Sequence, residues 1–155
     1  MEKTDYKKQL NEKGMVVFVP RGNSMWPMLK NNHQSVIILP KTNPIKVYDV
    51  IFYVRKDGSY VLHRVLAEKN GQYAVCGDSQ IELETVSNDQ IIGVMKGFYK
   101  GKKFIEATDE KYLRKVEKWY KNKSKRKAVL RFFHFRVKVK KRLLRIFKKS
   151  KRESK

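Results

Sequence analysis

Three polar residues have the types and surroundings that nucleophilic catalysis requires. Ser24 follows Gly22 by two positions, His63 lies within the apolar run "YVLHRV", and Asp78 lies within "CGDS". A serine hydroxyl becomes an effective nucleophile when a base accepts its proton, and neutral histidine suits this task because it titrates near neutral pH. A carboxylate can then fix the imidazole tautomer. These residues allow acyl transfer, although a loop serine, a structural histidine and a turn aspartate would produce the same pattern.

The residues around Ser24 indicate a turn with an apolar wall. Gly22 permits a tight turn, which would leave backbone N–H groups free to face a developing oxyanion. Three large apolar side chains follow the serine, and we expect them to form the core or the wall of a substrate groove. They are Met25, Trp26 and Met28.

The elements that would position these residues are mostly short β-strands. A short N-terminal helix is predicted over residues 4–13, with Gly14 as its stop. Runs rich in Val, Ile, Phe and Tyr follow and predict strands. They lie at 15–19, 35–39, 50–54, 60–66, 73–76, 91–96 and 103–106. Because turn sequences at 56–59 and 70–71 join neighbouring runs, the pattern predicts an antiparallel meander that coils into a small barrel or a folded sheet.

After Thr108 the hydrophobic period becomes that of helices. Apolar residues between 112 and 120 share one helical face, and a polar break follows at 121–127. Apolar residues then recur at steps of three and four, at Ala128, Phe132, Phe135, Val139, Leu143 and Ile146. Residues 133–140 alone would also fit an alternating strand, but the stripe continues for about five turns and favours a basic amphipathic helix. We therefore predict one domain over 1–108, which contains the three candidate residues, and a basic amphipathic helical tail over 109–155.

The positive charge of the chain is concentrated in this tail. The formal net charge is +22, from 37 basic and 15 acidic residues. Residues 109–155 hold 21 basic and 4 acidic residues, a net of +17, which leaves 16 and 11, or +5, for residues 1–108. Such a tail is typical of a segment that meets an anionic partner. We expect this partner to be an anionic membrane surface, with the apolar stripe in the lipid boundary. One alternative is a helix that packs on the domain or on a partner protein. The other is a contact with nucleic acid, for which the sequence has no recognition module.

Cysteine content and hydropathy set the expected compartment. Cys76 is the only cysteine, which excludes an internal disulfide and favours a reducing environment. The sequence has no apolar run of about 18 residues, and its N-terminal segment lacks the apolar core of a signal peptide. We therefore expect a cytoplasmic protein that is peripheral to the inner face of the cell membrane. His33 and His134 lack metal-ligand neighbours, so no metal or other cofactor is expected.

Five sequence boxes occur in an order that resembles a known peptidase superfamily. They are "GNSMWPML", "VYDVIFYV", "VLHRVL", "CGDSQ" and "IIGVM". The first resembles the Ser-Met-x-Pro-x-Leu/Met box of type I signal peptidases and LexA-type repressors, and the third resembles the histidine-bearing box of the endoplasmic-reticulum-type enzymes. The others resemble the Gly-Asp-Ile/Val-Val, Gly-Asp-Asn and Ile-x-Gly-x-Val boxes, with Tyr48 in place of the first glycine. The likeness covers residues 16–95 and is greatest to small bacterial members without an N-terminal membrane anchor.

The resemblance implies a mostly-β fold of the signal-peptidase type and the activity of a serine endopeptidase. It makes Ser24 the nucleophile, His63 the general base and Asp78 the acid that orients His63. The backbone N–H of Ser24 would be one oxyanion donor, while Gly22 stands where many relatives have a second donor, a serine hydroxyl. The endoplasmic-reticulum type often has a further aspartate after the Gly-Asp box, and this chain has Glu82 and Glu84 there.

The absence of an anchor changes the expected substrate. Without one, the implied substrate is a cytoplasmic precursor, such as the leader of a small modified peptide, with small residues before the cleaved bond. The alternative function is a catalytically degenerate, membrane-associated peptide-binding module. A self-cleaving DNA-bound repressor is disfavoured because about 14 residues precede the first predicted strand, too few for a helix-turn-helix domain.

Overall fold

The computed structural model describes residues 5–30, 33–41 and 44–153, with side chains described as far as Leu144. The helices are α1 (Tyr6–Lys13), α2 (Glu110–Lys121) and α3 (Lys123–Glu153), and a short 3-10 helix spans Asn88–Gln90. The strands are β1 (Val16–Phe18), β2 (Val36–Pro40), β3 (Val50–Val54), β4 (Tyr60–Lys69), β5 (Gln72–Cys76), β6 (Glu84–Ser87), β7 (Ile91–Lys100) and β8 (Lys103–Glu106).

The strands form one antiparallel sheet in the order β1-β2-β7-β3-β4-β5-β6, and β8 pairs with β7. The prediction of a mostly-β, antiparallel fold is confirmed. The sheet is open rather than a closed small barrel, since β1 and β6 form its two ends. The long strands β7 and β4 lie on either side of β3 in the middle of the sheet. His63 lies on β4, and Ser24 and Asp78 lie in loops.

β3 is the most buried strand, because it lies between β4 and β7 and is covered on both faces. Ile51 and Tyr53 are fully buried and belong to a core cluster with Val65 and Val75. Phe52, on the opposite face, is 2% exposed. A strand that is buried on both faces is typically a continuous apolar run, as "VIFYV" is. Tyr53 is the only hydroxyl-bearing side chain of this strand.

β6 was not predicted, because its sequence, "ETVS", has weak strand character. It is a strand because it pairs with β5, with Glu84 opposite Val75 and Val86 opposite Tyr73. Val86 is fully buried and provides the apolar anchor of this edge. The pairing brings Glu84 into the sheet.

The chain divides into two compact units, 1–118 and 119–155. The division lies within α2 rather than at the predicted boundary after Thr108. The reason is that Tyr112, in the first half of α2, is buried and packs its ring 5.3 Å from that of Phe98 on β7. The start of α2 therefore belongs to the first unit.

The second unit contains the end of α2 and the long helix α3. The helix predicted over this part of the chain is confirmed, and the strand alternative for 133–140 is not adopted. α3 begins earlier than predicted, because Asn122 caps it: its Oδ1 accepts a hydrogen bond from the Lys125 N–H at 3.0 Å. The predicted polar break at 121–127 is thus reduced to one non-helical residue.

Candidate active site

The loop that carries Ser24 joins β1 to β2 and is anchored by buried apolar side chains. Met25, Met28 and Leu29 are 4%, 5% and 4% exposed. The Leu29 N–H donates to the Met25 carbonyl at 2.8 Å, which closes a turn just after Ser24. Gly22 has φ 89°, in the left-handed region that favours glycine. Ser24 itself is half-buried, so a fixed turn presents a partly accessible hydroxyl.

The turn after β5 holds this loop in place. The Ser79 N–H donates to the Ser24 carbonyl at 2.8 Å, and the Ser79 hydroxyl donates to the Asn23 carbonyl at 2.8 Å. A Cβ on Gly77 would lie 2.8 Å from the Ser24 carbonyl oxygen, a separation that atoms of real side chains do not tolerate. The Gly-Asp-Ser sequence therefore serves the Ser24 loop directly, through a glycine that permits close approach and a serine that bonds it.

Ser24 and His63 line the same groove, whose volume is about 690 Å³. A cluster of four aromatic rings also lines it, with neighbouring ring centroids 5.1–5.6 Å apart. The rings belong to Tyr6, Phe18, Phe52 and Tyr60. A groove of this size with an apolar wall and a few polar groups is the usual form of a ligand site.

The three residues predicted to form the groove wall have different surroundings. Met25 lines the groove with Ser24 and His63, as predicted. Met28 instead lines a second groove of about 550 Å³, together with Pro27 and Phe98. Trp26 is half-buried. Within the described part of the chain, it lines neither of these two grooves. The tight turn explains the difference, since consecutive side chains in it point in different directions.

His63 is buried on β4 and faces a tyrosine and a glutamate. Its side chain is nearly inaccessible, and its Nδ1 lies 3.1 Å from Tyr53 Oη and 3.8 Å from Glu84 Oε2. Burial lowers the pKa of His63 to about 4, and the charge of Glu84 opposes that shift. The imidazole is therefore neutral at pH 7, which is the state in which it can accept a proton.

Glu84 is held in place by Arg55. Arg55 Nε donates to Glu84 Oε1 at 2.8 Å, and Arg55 Nη2 donates to Glu84 Oε2 at 2.6 Å. These hydrogen bonds are the main reason that the pKa of Glu84 is lowered. An ionised carboxylate beside His63 would stabilise the imidazolium that forms when His63 takes up a proton. Of the two glutamates that follow Gly77 and Asp78, Glu84 lies beside His63, while Glu82 is exposed.

Asp78 has a different partner from the one we predicted. Its two oxygens accept hydrogen bonds from Arg64 Nε and Nη2, each at 2.8 Å, and neither residue has any exposed surface. Arg64 also donates to Tyr112 Oη on α2 at 2.8 Å. Asp78 is therefore a partner of Arg64, and the orienting role toward His63 that the resemblance implies for it stays a prediction. Burial determines the low pKa of His63, and the charge of Asp78 only opposes it.

Tyr48 is the position at which the Gly-Asp-Val box lacks its glycine. Its φ is 76°, in the left-handed region that disfavours most side chains. Its N–H donates to the Val65 carbonyl at 2.8 Å, and its carbonyl accepts from Arg64 Nη1 at 2.8 Å. The backbone therefore has the conformation for which glycine is the easiest residue, and two hydrogen bonds hold tyrosine in it.

Sequence reasoning missed Tyr53 and Arg55. Tyr53 lies near the end of β3 and Arg55 directly follows the strand, two positions later, so the period of a strand places both on one face. Ile51 pairs with His63 in the β3–β4 hairpin, so Tyr53 is a diagonal neighbour of the imidazole. The signal was thus the alternation of "IFYVR" combined with the hairpin register, which the sequence alone did not specify.

The predicted lipid-facing stripe of α3 is exposed as far as side chains are described. Phe132 is 63% exposed, Phe135 64%, Val139 40% and Leu143 50%. Ile146 lies in α3, but its side chain is outside the described ones. Over the described ranges, no helix has the length and apolar character needed to cross a membrane. The same ranges contain no group of three or more acidic, histidine or cysteine side chains arranged to hold a metal ion.

Comparison with known proteins gives no family assignment: no protein-family model matches the chain, and no curated protein matches it.

Proposed function

We propose that this chain is a serine endopeptidase in which Ser24 is the nucleophile and His63 is the general base. One observation carries the proposal: Ser24 and a buried, neutral His63 line one groove that is large enough for a peptide segment. The resemblance of the five sequence boxes supports the same assignment of these two residues. Glu84 replaces Asp78 as the acidic partner of the base.

The chemistry follows from which imidazole nitrogen is available. Nδ1 of His63 faces Tyr53 and Glu84, so Nε2 is the nitrogen that accepts the Ser24 proton. The Ser24 oxygen then bonds to the carbonyl carbon of the scissile peptide, and the protonated Nε2 returns a proton to the departing amine. Water, deprotonated by the same nitrogen, attacks the acyl-enzyme and releases the acid product and free Ser24.

A peptide would bind in an extended conformation. Phe18 and Val19, at the end of the terminal strand β1, line the groove, and a free strand edge can pair with substrate backbone. By resemblance, small residues precede the cleaved bond, and the substrate is a precursor protein or the leader of a modified peptide.

Cleavage of a peptide panel, followed by mass spectrometry, tests this proposal. We expect Ser24→Ala and His63→Ala each to lower kcat/KM on the order of 10⁴-fold or more, because each removes an essential part of proton transfer or attack. Ser35→Ala and His33→Ala are matched controls outside the groove and should retain activity. Equal cleavage by all five proteins would refute the assignment. The alternative is a catalytically degenerate binding module. It would be supported if Ser24→Ala still binds peptide while the unmutated protein neither cleaves peptide nor is labelled by a serine-directed acylating probe.

We also propose that α3 lies on an anionic lipid surface. The support is its exposed apolar stripe together with 15 Lys and Arg among its 31 residues. The apolar side chains would enter the lipid boundary while the cations contact headgroups. The peptidase would then work at the inner face of a membrane.

A further inference from the structure

We infer that the hydroxyl of Tyr53 fixes the tautomer of His63, as a positioning residue inserted between the imidazole and Glu84. The inference rests on the proposed function, since it concerns how the general base is prepared. It replaces the direct carboxylate–histidine contact of a Ser-His-Asp site with a chain of three side chains: imidazole, phenol and carboxylate.

Distance identifies the hydroxyl as the direct partner of the imidazole. Tyr53 Oη is 3.1 Å from His63 Nδ1, within hydrogen-bond range, whereas the nearest Glu84 oxygen is 3.8 Å away. The β3–β4 register sets the first separation, because it makes Tyr53 a diagonal neighbour of His63. Glu84 belongs to β6, which pairs with β5 rather than with β4, and its contacts with Arg55 hold it near the imidazole.

The direction of the hydrogen bonds follows from what each group can donate. Burial, reinforced by a hydrogen bond to Glu84, raises the pKa of Tyr53 well above its ordinary value, so the phenol keeps its proton. Glu84 is ionised and can only accept. The phenol proton therefore points to Glu84, and the phenol oxygen accepts the Nδ1–H of His63. This arrangement leaves the lone pair of Nε2 free for the Ser24 proton.

The opposite arrangement would disable the site. If Tyr53 donated to Nδ1, the neutral imidazole would carry its proton on Nε2 and could not accept another from Ser24. The charge of Glu84 prevents this by attracting the phenol proton, and Arg55 keeps Glu84 ionised and in position. Asp78 is the other carboxylate whose charge reaches His63, and both of its oxygens are bound to Arg64. Glu84 is thus the group that orients the phenol.

Nitrogen NMR of His63 in full-length Ser24→Ala protein at pH 7 tests the inference without requiring turnover. Expected are the shifts of the Nδ1–H tautomer, with Nε2 unprotonated. Tyr53→Phe in the same background should shift the population toward the Nε2–H form. Tyr73→Phe is the matched control, since Tyr73 is a buried tyrosine of the same core cluster, and it should change nothing. A predominant Nε2–H tautomer in the Ser24→Ala protein overturns the inference. Identical spectra for Ser24→Ala alone and for Ser24→Ala combined with Tyr53→Phe overturn it as well.

Kinetics of the active protein give a second readout. Tyr53→Phe should lower kcat on the order of 10²-fold, with little change in KM. Complete loss of tautomer control lowers kcat by about 10⁴-fold. The expected loss is smaller because Glu84 remains near His63 in the variant. If Tyr53→Phe does not fold, Glu84→Gln serves instead, since its amide can donate to the phenol oxygen and turn the phenol proton toward Nδ1. Unchanged His63 shifts in Glu84→Gln would also overturn the inference. If no peptide is cleaved but the tautomer behaves as expected, the proposed function fails while the positioning role stands.

Discussion

His63 combines deep burial with a nearby carboxylate, and the balance of the two determines when it can act as a base. Desolvation disfavours the imidazolium, while Glu84 favours it, and burial is the larger effect. The side chain is therefore ready to accept a proton across the whole neutral range. A histidine left near its ordinary pKa of 6.5 would lose part of this capacity already at slightly acidic pH.

The pH dependence of catalysis should reflect this low pKa. Because a protonated imidazole cannot accept the Ser24 proton, kcat/KM is expected to fall only as the pH decreases toward about 4, and to be near its maximum at pH 6.5. The profile is measured between about pH 4 and pH 8, with circular dichroism at each pH to establish that the protein stays folded. An acid limb centred at or above pH 6.5 would contradict the assignment of His63 as a buried base.

The sequence contained enough to propose Ser24 and His63 as a catalytic pair, but not to predict the contacts of His63 with Tyr53 and Glu84. Adjacent residues of a strand point to opposite faces, so His63 and Arg64 have different surroundings. Asp78 lies on the side of Arg64 and neutralises it, whereas Tyr53 and Glu84 lie on the side of His63. This division of partners between the two faces depends on the registers of the β3–β4, β4–β5 and β5–β6 pairs. Strand register is a tertiary property that the order of sequence motifs does not encode.

At the scale of elements, the buried Arg64–Asp78 pair joins three parts of the first unit. Arg64 is on β4, Asp78 is in the turn after β5, and Tyr112, which accepts from Arg64, is on α2. The backbone carbonyl of Tyr48 adds a fourth contact. A guanidinium with this many partners tolerates complete burial, since its donors and its charge are both matched.

Removing one member of this pair should destabilise the fold more than removing both. Arg64→Met and Asp78→Leu each leave an unmatched buried group, and each is expected to lower the free energy of unfolding by about 3–5 kcal/mol. The double variant should lose less than either single variant, and so clearly less than the sum of the two. Urea denaturation of the four proteins gives the coupling energy. Glu110→Gln, which breaks the exposed Arg114–Glu110 pair, is the control and should change stability by less than about 1 kcal/mol. Additive losses in the double variant would show that the pair is not coupled.

Which elements were predictable depended on how local their signals are. The apolar runs predicted every strand except β6, whose residues are polar and whose structure depends on β5. The helical stripe predicted α3, but the one-residue cap at Asn122 replaced a longer expected break. The boundary after Thr108 shifted into α2 because Tyr112 packs on Phe98. Local periodicity was thus reliable, and long-range packing determined the exceptions.

At the scale of the whole molecule, the charge distribution separates two kinds of surface. Residues 109–155 carry a net +17, while residues 1–108 carry +5. Each Lys or Arg near an anionic membrane surface adds about 1 kcal/mol to binding, so a fraction of the tail is sufficient for association. The exposed phenylalanines add an apolar contribution that a purely electrostatic contact, such as one with nucleic acid, does not require.

Co-sedimentation of the full-length protein with vesicles tests this partner. Binding is expected to vesicles that contain an anionic phospholipid, to be weak with neutral ones, and to decrease with salt. Phe132→Ser combined with Phe135→Ser should lower the affinity about 10-fold or more, because two exposed rings no longer enter the lipid. Val17→Ser combined with Val47→Ser is the control, since both valines are about half exposed outside the tail. Equal binding to neutral and anionic vesicles, or an unchanged affinity of the phenylalanine variant, would exclude the interfacial helix.

The contacts of Ser79 have a consequence for the amide of Ser24. Ser79 donates hydrogen bonds to the carbonyl oxygens of Asn23 and Ser24, so one residue from a distant turn fixes the peptide planes on both sides of the proposed nucleophile. The Asn23–Ser24 peptide is trans. The Ser24 N–H therefore points opposite to the Asn23 carbonyl, away from Ser79. Its orientation is established when the chain folds. If Ser24 is the nucleophile, as we propose, no rotational freedom has to be lost in each catalytic cycle for that N–H to meet a developing negative charge.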